Sequence, residues 1–274
     1  MIKKNVIQKN YLKRNSVKKL SKNFKKIIKE IKDSIENPNN IFNVLSDNYN
    51  FNFKIKDLKR FSKFNNLAII GMGGSILGSE AIYNFLKKKI KKKIYFFDDI
   101  NFQKILKFKK KVDISKTVFL VISKSGNTIE TLSNFFSLKI IEKAKKNIIV
   151  ISEKKDNTLL SLSKKFNLFY VEHKDYISGR YSVLSEVGIV PAYLMGLNIS
   201  KLRKNLRKHL KKKEVKFLQD STIKLANILQ QKKITNLIFL NYSPELKKFL
   251  YWCQQLIAES LGKNKKGFFP VISN

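Results

Sequence analysis

The densest group of chemically capable residues is Ser123-Lys124-Ser125-Gly126-Asn127-Thr128, with Glu130 and Thr131 just beyond it. These hydroxyls, an amide and an ammonium follow an apolar run and open a helical pattern. The first amides of a helix have no intrahelical acceptor and lie at the positive end of its dipole, so such a turn suits a dianion. Hydroxyls donate to phosphate oxygens without adding charge. Capping the helix would take one such residue, and several are on offer, so phosphate binding is the reading we adopt.

Three smaller groups could act with it. Gly71-Met72-Gly73-Gly74-Ser75 follows an apolar run and precedes a helical one. Its glycines would let backbone approach a ligand, or simply make a tight turn. Their spacing misses the dinucleotide fingerprint, and no Gly-Lys-Ser/Thr of a Walker loop is present. Ser178-Gly179-Arg180-Tyr181-Ser182 places one of the chain's five arginines in a loop. Where lysine is otherwise the preferred cation, that arginine is either a fork for an anion or a surface ion pair. Ala258-Glu259-Ser260-Leu261-Gly262-Lys263 puts a carboxylate at the end of a mostly apolar helix. Facing the negative end of a dipole is poor placement for solubility and good placement for a group that takes up and returns a proton, although a solvated helix-end glutamate would look the same.

The pattern around these groups predicts the elements that position them. Apolar runs at Leu67 to Ile70, Lys93 to Phe97, Thr117 to Ile122, Asn147 to Ile151 and Leu168 to Val171 read as strands. Helical patterns intervene over Leu77 to Leu86, Ile129 to Ala144 and Thr158 to Lys165. This alternation predicts an α/β fold, a parallel sheet flanked by helices, with ligands beyond the carboxyl ends of its strands. An amphipathic helix is expected over Val17 to Ile35, ending at Asn37-Pro38. Helices are expected over Val183 to Leu197, Ser200 to Leu210, Asp220 to Gln231 and Pro244 to Leu261. A strand over Asn236 to Tyr242 lacks visible partners, and Phe268 to Ile272 reads as a free apolar end. The expected division is a helical segment (1–54), a first sheet domain (55–200) and the start of a second, similar domain (201–274).

Composition bounds the remaining choices. The 274 residues suffice for a buried core, and no apolar run is long enough to cross a bilayer, so no membrane association is expected. Met1 to Lys19 is basic without an apolar centre, unlike a secretory signal. A single cysteine, Cys253, fits a reducing cytoplasm, and His173, His209 and that cysteine make no zinc-type set, so no metal is expected. The formal charge of +37 invites a nucleic-acid reading, but only five of 57 basic residues are arginine. Lys, Asn, Ile and Phe share A/T-rich codons, so the charge reads as composition spread over solvated surface, and no nucleic-acid partner is expected. The positive field would still draw anionic substrates, less strongly as salt rises.

Taken in order, GMGGSILG, SKSGNTIET, GRYSVLSEVG and AESLGK resemble signature segments of the glucose-6-phosphate isomerase family, over about residues 55–274. That family's fold is two related sugar-isomerase domains. The resemblance implies reversible interconversion of glucose 6-phosphate and fructose 6-phosphate through an enediol, with no cofactor, in a homodimer. It implies that Ser123, Lys124, Ser125 and Thr128 grip the phosphate, with Thr131 in support, and that Gly73, Gly74 and Ser75 line the sugar; Asn127, the amide of the same turn, is counted with the substrate-binding candidates. It places Arg180 on the arginine that stabilises the enediolate and Glu259 on the glutamate that carries the proton between C2 and C1. Family members are longer and carry, beyond these segments, a histidine and a lysine that assist ring opening. His173 and His209 match neither, so impaired turnover is expected of this chain, with a non-catalytic sugar-phosphate-binding module as the alternative.

Overall fold

The computed structural model describes residues 14–231, 234–264 and 266–273, so much of the basic N-terminal stretch lies outside it. Strands β1 (Asn66–Ile70), β2 (Lys93–Phe97), β3 (Thr117–Ile122), β4 (Ile148–Ser152) and β5 (Phe169–Glu172) form one parallel sheet in the order β2-β1-β3-β4-β5. β3 lies at its centre and is buried along its whole length. Side chains of a strand alternate between faces. Leu67 and Ile69, Val118, Leu120 and Ile122, and Ile149 and Ile151 therefore enter one core, while Ala68 and Ile70, Phe119 and Val121, and Ile148 and Val150 enter the other. Both sets are apolar because both faces are covered.

Helices α2 (Ile55–Leu58), α3 (Leu77–Leu86) and α8 (Glu186–Leu194) cover the first face. α4 (Phe102–Lys111), α5 (Ile129–Ser137), α6 (Ile140–Ala144) and α7 (Thr158–Phe166) cover the second. The expected helix over Ile129 to Ala144 is thus two. Lys139 takes a left-handed φ of 53° between them, a break that the unbroken apolar pattern conceals. The helix expected from Val183 begins at Glu186, after a 3-10 turn over Gly179–Leu184, and the one expected over Ser200 to Leu210 ends as α9 (Ile199–Arg203) because Asn205 is left-handed at φ 66°.

The N-terminal segment is fastened by polar contacts. Buried Glu186, in the first turn of α8, accepts from the Tyr49 hydroxyl and the Asn52 amide, both at 3.0 Å. Arg203 donates to the carbonyls of Leu184, Val44 and Ser46 at 2.8–3.0 Å, a fork that a lysine could not reproduce. Helix α1 (Arg14–Ser34) buries Phe24 and Ile28 against Ile223 of α10 (Lys212–Gln230), which is longer than the Asp220 to Gln231 pattern suggested.

The C-terminal stretch is also corrected. Phe268 to Ile272 is no free end: β7 (Phe269–Ser273) pairs in parallel with β6 (Asn236–Leu240), joined to it through α11 (Lys247–Leu261). Parallel strands need such a crossover, and Pro270, which donates no ladder bond, hides the strand in the sequence. Ile238, Leu240 and Phe269 of this two-stranded sheet are exposed.

Phe119 is fully buried at the centre of the second core. Replacing it with alanine is expected to cost about 3–5 kcal/mol in urea unfolding, through lost transfer energy and the cavity left behind.

Candidate active site

In a doubly wound sheet of this order the helices after β1 and β3 depart to opposite faces, leaving a crevice between their loops. Here α3 goes to one face and α5 to the other. The two loops are neighbours: a Cβ on Gly71 would stand 2.9 Å from the Ile122 carbonyl oxygen at the end of β3. The glycine loop and the hydroxyl loop, chosen separately in the sequence, thus border one crevice.

In the hydroxyl loop the buried Ser123 Oγ lies 2.8 Å from Thr128 Oγ1 and 3.5 Å from Ser125 Oγ, and it accepts from the Gly126 amide at 3.1 Å. Thr128 occupies the N-cap of α5, yet its side chain caps nothing. Ser125 accepts from the Asn127 amide, and Asn127 Oδ1 accepts from the Thr158 amide at the start of α7. No side chain of the loop is spent as the cap of α5, which removes the plain capping explanation. Thr131 is fully buried one turn on, its hydroxyl without a protein partner. Lys124 turns elsewhere: its ammonium donates to the Asp175 carbonyl at 2.8 Å and lies 3.3 Å from Glu153.

The glycine loop leads to the other groups. A Cβ on Gly74 would stand 2.3 Å from the Gly179 carbonyl carbon and 2.6 Å from the Arg180 nitrogen, so only glycine permits this backbone contact. Ser182 secures it, donating to Gly179 O at 2.6 Å and Gly74 O at 3.3 Å. Arg180 Nε donates to Ser260 Oγ at 2.9 Å, and its guanidinium reaches Glu259 Oε2 at 3.4 Å. Gln255 Nε2 holds Glu259 Oε1 at 2.7 Å and would lie 3.1 Å from a Cβ on Gly73. Trp252 Nε1 donates to the Arg180 carbonyl at 2.8 Å. Ser75 closes the turn through its amide to Met72 O. Arg180 is largely covered, while Glu259 keeps 47% of its side chain open to solvent.

Sequence reasoning missed Trp252, Gln255, Tyr181 and Ser260. The last two lie inside the quoted segments, and the first two share a helix face with Glu259, so spacing was the available signal. Tyr181 OH lies 2.6 Å from Ser260 Oγ. Burial pushes its phenol up, but the bonds to Ser260 and Arg180 and the nearby positive charges outweigh this and hold it below the usual range.

A cleft of about 930 Å³ opens elsewhere, beside the N-terminal segment, lined among others by Asn43, Asn52, Lys174 and Tyr176. Two of its amides are engaged internally, Asn43 with Ile35 O and Asn52 with Glu172 O. It contains neither the clustered hydroxyls nor Arg180 and Glu259, so we place the site at the strand ends. Among the described residues no group of three His, Cys, Asp or Glu side chains is placed to hold a metal ion, and no helix is long and apolar enough to cross a membrane.

A five-stranded doubly wound sheet with these loops at its switch point is the sugar-isomerase fold. Solved structures share it. A hypothetical protein of Thermus thermophilus matches 94% of this chain and 66% of its own at TM-score 0.73 and 21% identity. A glucose-6-phosphate isomerase of Chlamydia trachomatis matches 80% of this chain and 47% of its own at TM-score 0.60 and 22% identity. The phosphoglucose isomerase family model matches residues 18–267, and the chain belongs to that family. The glucose-6-phosphate isomerase of Methanocaldococcus jannaschii is 34% identical over 223 residues, 78% of this chain and 55% of its own. That of Campylobacter jejuni is 32% identical over 219 residues, 74% of this chain and 51% of its own. The chain spans about half the length of these curated relatives.

Two outcomes follow from this geometry. Gly74→Ala forces the loops apart and is expected to lower stability by about 1–3 kcal/mol, read from urea unfolding. His173, at the end of β5, is buried with Nε2 unpartnered, and burial pushes its basicity down. Below pH ~6.5 the unfolded chain therefore binds a proton that the folded chain refuses, and stability falls as pH falls toward the folded value, by up to about 1.4 kcal/mol per pH unit. Urea unfolding between pH 7.5 and 5.5 should show a shallower decline for His173→Gln than for the unsubstituted chain.

Proposed function

We propose that this chain carries the machinery that interconverts glucose 6-phosphate and fructose 6-phosphate through an enediol. The observation that carries the reading is Arg180 in contact with Glu259, held by Gly74 beside a hydroxyl turn whose helix no side chain caps.

The chemistry can be assigned group by group. Ser123, Ser125 and Thr128, with the first amides of α5, hold the phosphate, and Thr131 supports them from beneath. Asn127 fixes the turn against α7. Lys124 contributes positive charge at the rim rather than a direct bond. The sugar then extends along Gly73, Gly74 and Ser75 toward α11. Glu259 takes the proton from C2 and returns it to C1, and the Arg180 guanidinium stabilises the oxyanion that develops between them. Gln255 keeps one carboxylate oxygen oriented and leaves the other facing Arg180. Its partial exposure leaves this carboxylate reachable by a substrate.

The relatives' additional length is the natural source of the groups that open the sugar ring, and the exposed apolar residues of β6 and β7 offer a surface on which further elements of a second sheet could build. A homodimer in the cytoplasm, with no nucleic-acid or membrane partner, completes the reading. The competing module that binds sugar phosphate without converting it shares the loops but gives Glu259 no task.

Glu259→Gln separates the two. With fructose 6-phosphate as substrate, turnover should fall by about 10²–10⁴-fold while calorimetric binding of the sugar phosphate persists. Turnover that survives Glu259→Gln unchanged would remove this carboxylate from the proton transfer and overturn the assignment.

A further inference from the structure

Helix α11 meets the first domain along one stripe of polar side chains. Lys248, Trp252, Gln255 and Glu259 follow the spacing i, i+4, i+7, i+11, which confines them to an arc of about 60°. Trp252, Gln255 and Glu259 belong to the site described above. Lys248, three turns away, does not touch it. Its ammonium donates to Glu80 Oε1 at 2.6 Å and lies 3.5 Å from Asp98 Oδ2. Asp98 is also bound by Lys104 at 2.8 Å, and Lys104 reaches Asp99 at 3.0 Å.

Glu80 is 3% exposed, sits on α3 directly after the glycine loop, and has its second carboxylate oxygen without a partner. Lys248 stands in the first turn of α11, where the dipole disfavours a cation and no acidic residue of that turn offsets it, so its partners come from α3 and the end of β2. A lysine on the outer face would avoid the cost of covering the pair. The placement is explained if the pair sets where α11 lies along α3.

We infer that the Lys248–Glu80 pair is a positioning device that fixes the register of α11 on the first domain and so holds Glu259 opposite Arg180. Successive members of the stripe grip two elements that flank the glycine loop: Lys248 holds α3, which follows it, and Trp252 holds the carbonyl of Arg180, whose nitrogen a Cβ on Gly74 would meet. Slippage of α11 would displace the carboxylate while leaving the hydroxyl turn, on another element, unchanged. The catalytic consequence rests on the proposed isomerase reading. The docking itself does not.

A pair that merely neutralises a buried charge and one that sets register differ in a double variant. Glu80→Gln with Lys248→Met removes both charges together, so no buried ion is left uncompensated. The chain's single tryptophan, Trp252, reports docking directly. If the pair sets register, this variant keeps the far-UV dichroism of the unsubstituted chain, but Trp252 emission moves to longer wavelength and is more readily quenched by acrylamide. Turnover of fructose 6-phosphate then falls about 10–100-fold through kcat, with KM held. Unchanged Trp252 emission and quenching would overturn the inference. An unsubstituted chain without turnover would count against the isomerase reading alone, and fluorescence would still decide the docking. Should the double variant not fold, Glu80→Gln by itself, which leaves Lys248 beside Asp98, is judged by the same fluorescence readings.

Discussion

The structure depends on the parallel pairing of β1 with β3, residue for residue from Asn66 opposite Thr117 to Ile70 opposite Val121. Both strands are buried on two faces, so the helices that follow them must leave to opposite sides if both cores are to be covered. Their first turns then cannot touch, and a crevice opens above the sheet where backbone amides and loop side chains meet no other part of the sheet. The site is a product of covering a two-faced apolar sheet.

What fills the crevice is decided by close backbone approach. Gly71 lets the first loop run against the end of β3, and Gly74 lets it touch the Gly179–Arg180 peptide. Through those contacts the Arg180 guanidinium is tied to the same framework as the Ser123 turn, and α11 reaches it from the far side. The roles proposed for Arg180 and Glu259, oxyanion stabilisation and proton transfer, require the two side chains to hold their separation closely, and backbone contacts give more rigidity than side-chain contacts would.

Charge divides by residue type. The abundant lysines lie mostly on the surface and supply a diffuse positive potential that attracts anions. Arginine is kept where geometry matters. Arg203 forks to three carbonyls that fasten the N-terminal segment, and Arg180 faces Ser260 and Glu259. The guanidinium's fixed planar donors suit both tasks, and a single ammonium could satisfy neither.

The amino-acid sequence by itself determined the strands, because Leu67 to Ile70 and Val118 to Ile122 are apolar at every position, as a sheet covered on both faces requires. It also determined the chemical types at the loops, since Ser123 to Thr128, Arg180 and Glu259 stand out against a lysine-rich background. It did not reveal the breaks at Lys139 and Asn205, where ordinary residues adopt left-handed backbone within continuous helical patterns. Nor did it reveal β7, whose proline disguises a strand. Tertiary structure alone decided that Lys124 turns to Asp175 and Glu153, that Gly74 meets Arg180, and that α11 presents Gln255 to Gly73 and Glu259 to Arg180. Each of these joins positions far apart along the chain. Local pattern records which face a residue buries, but only packing of the whole determines what it meets there.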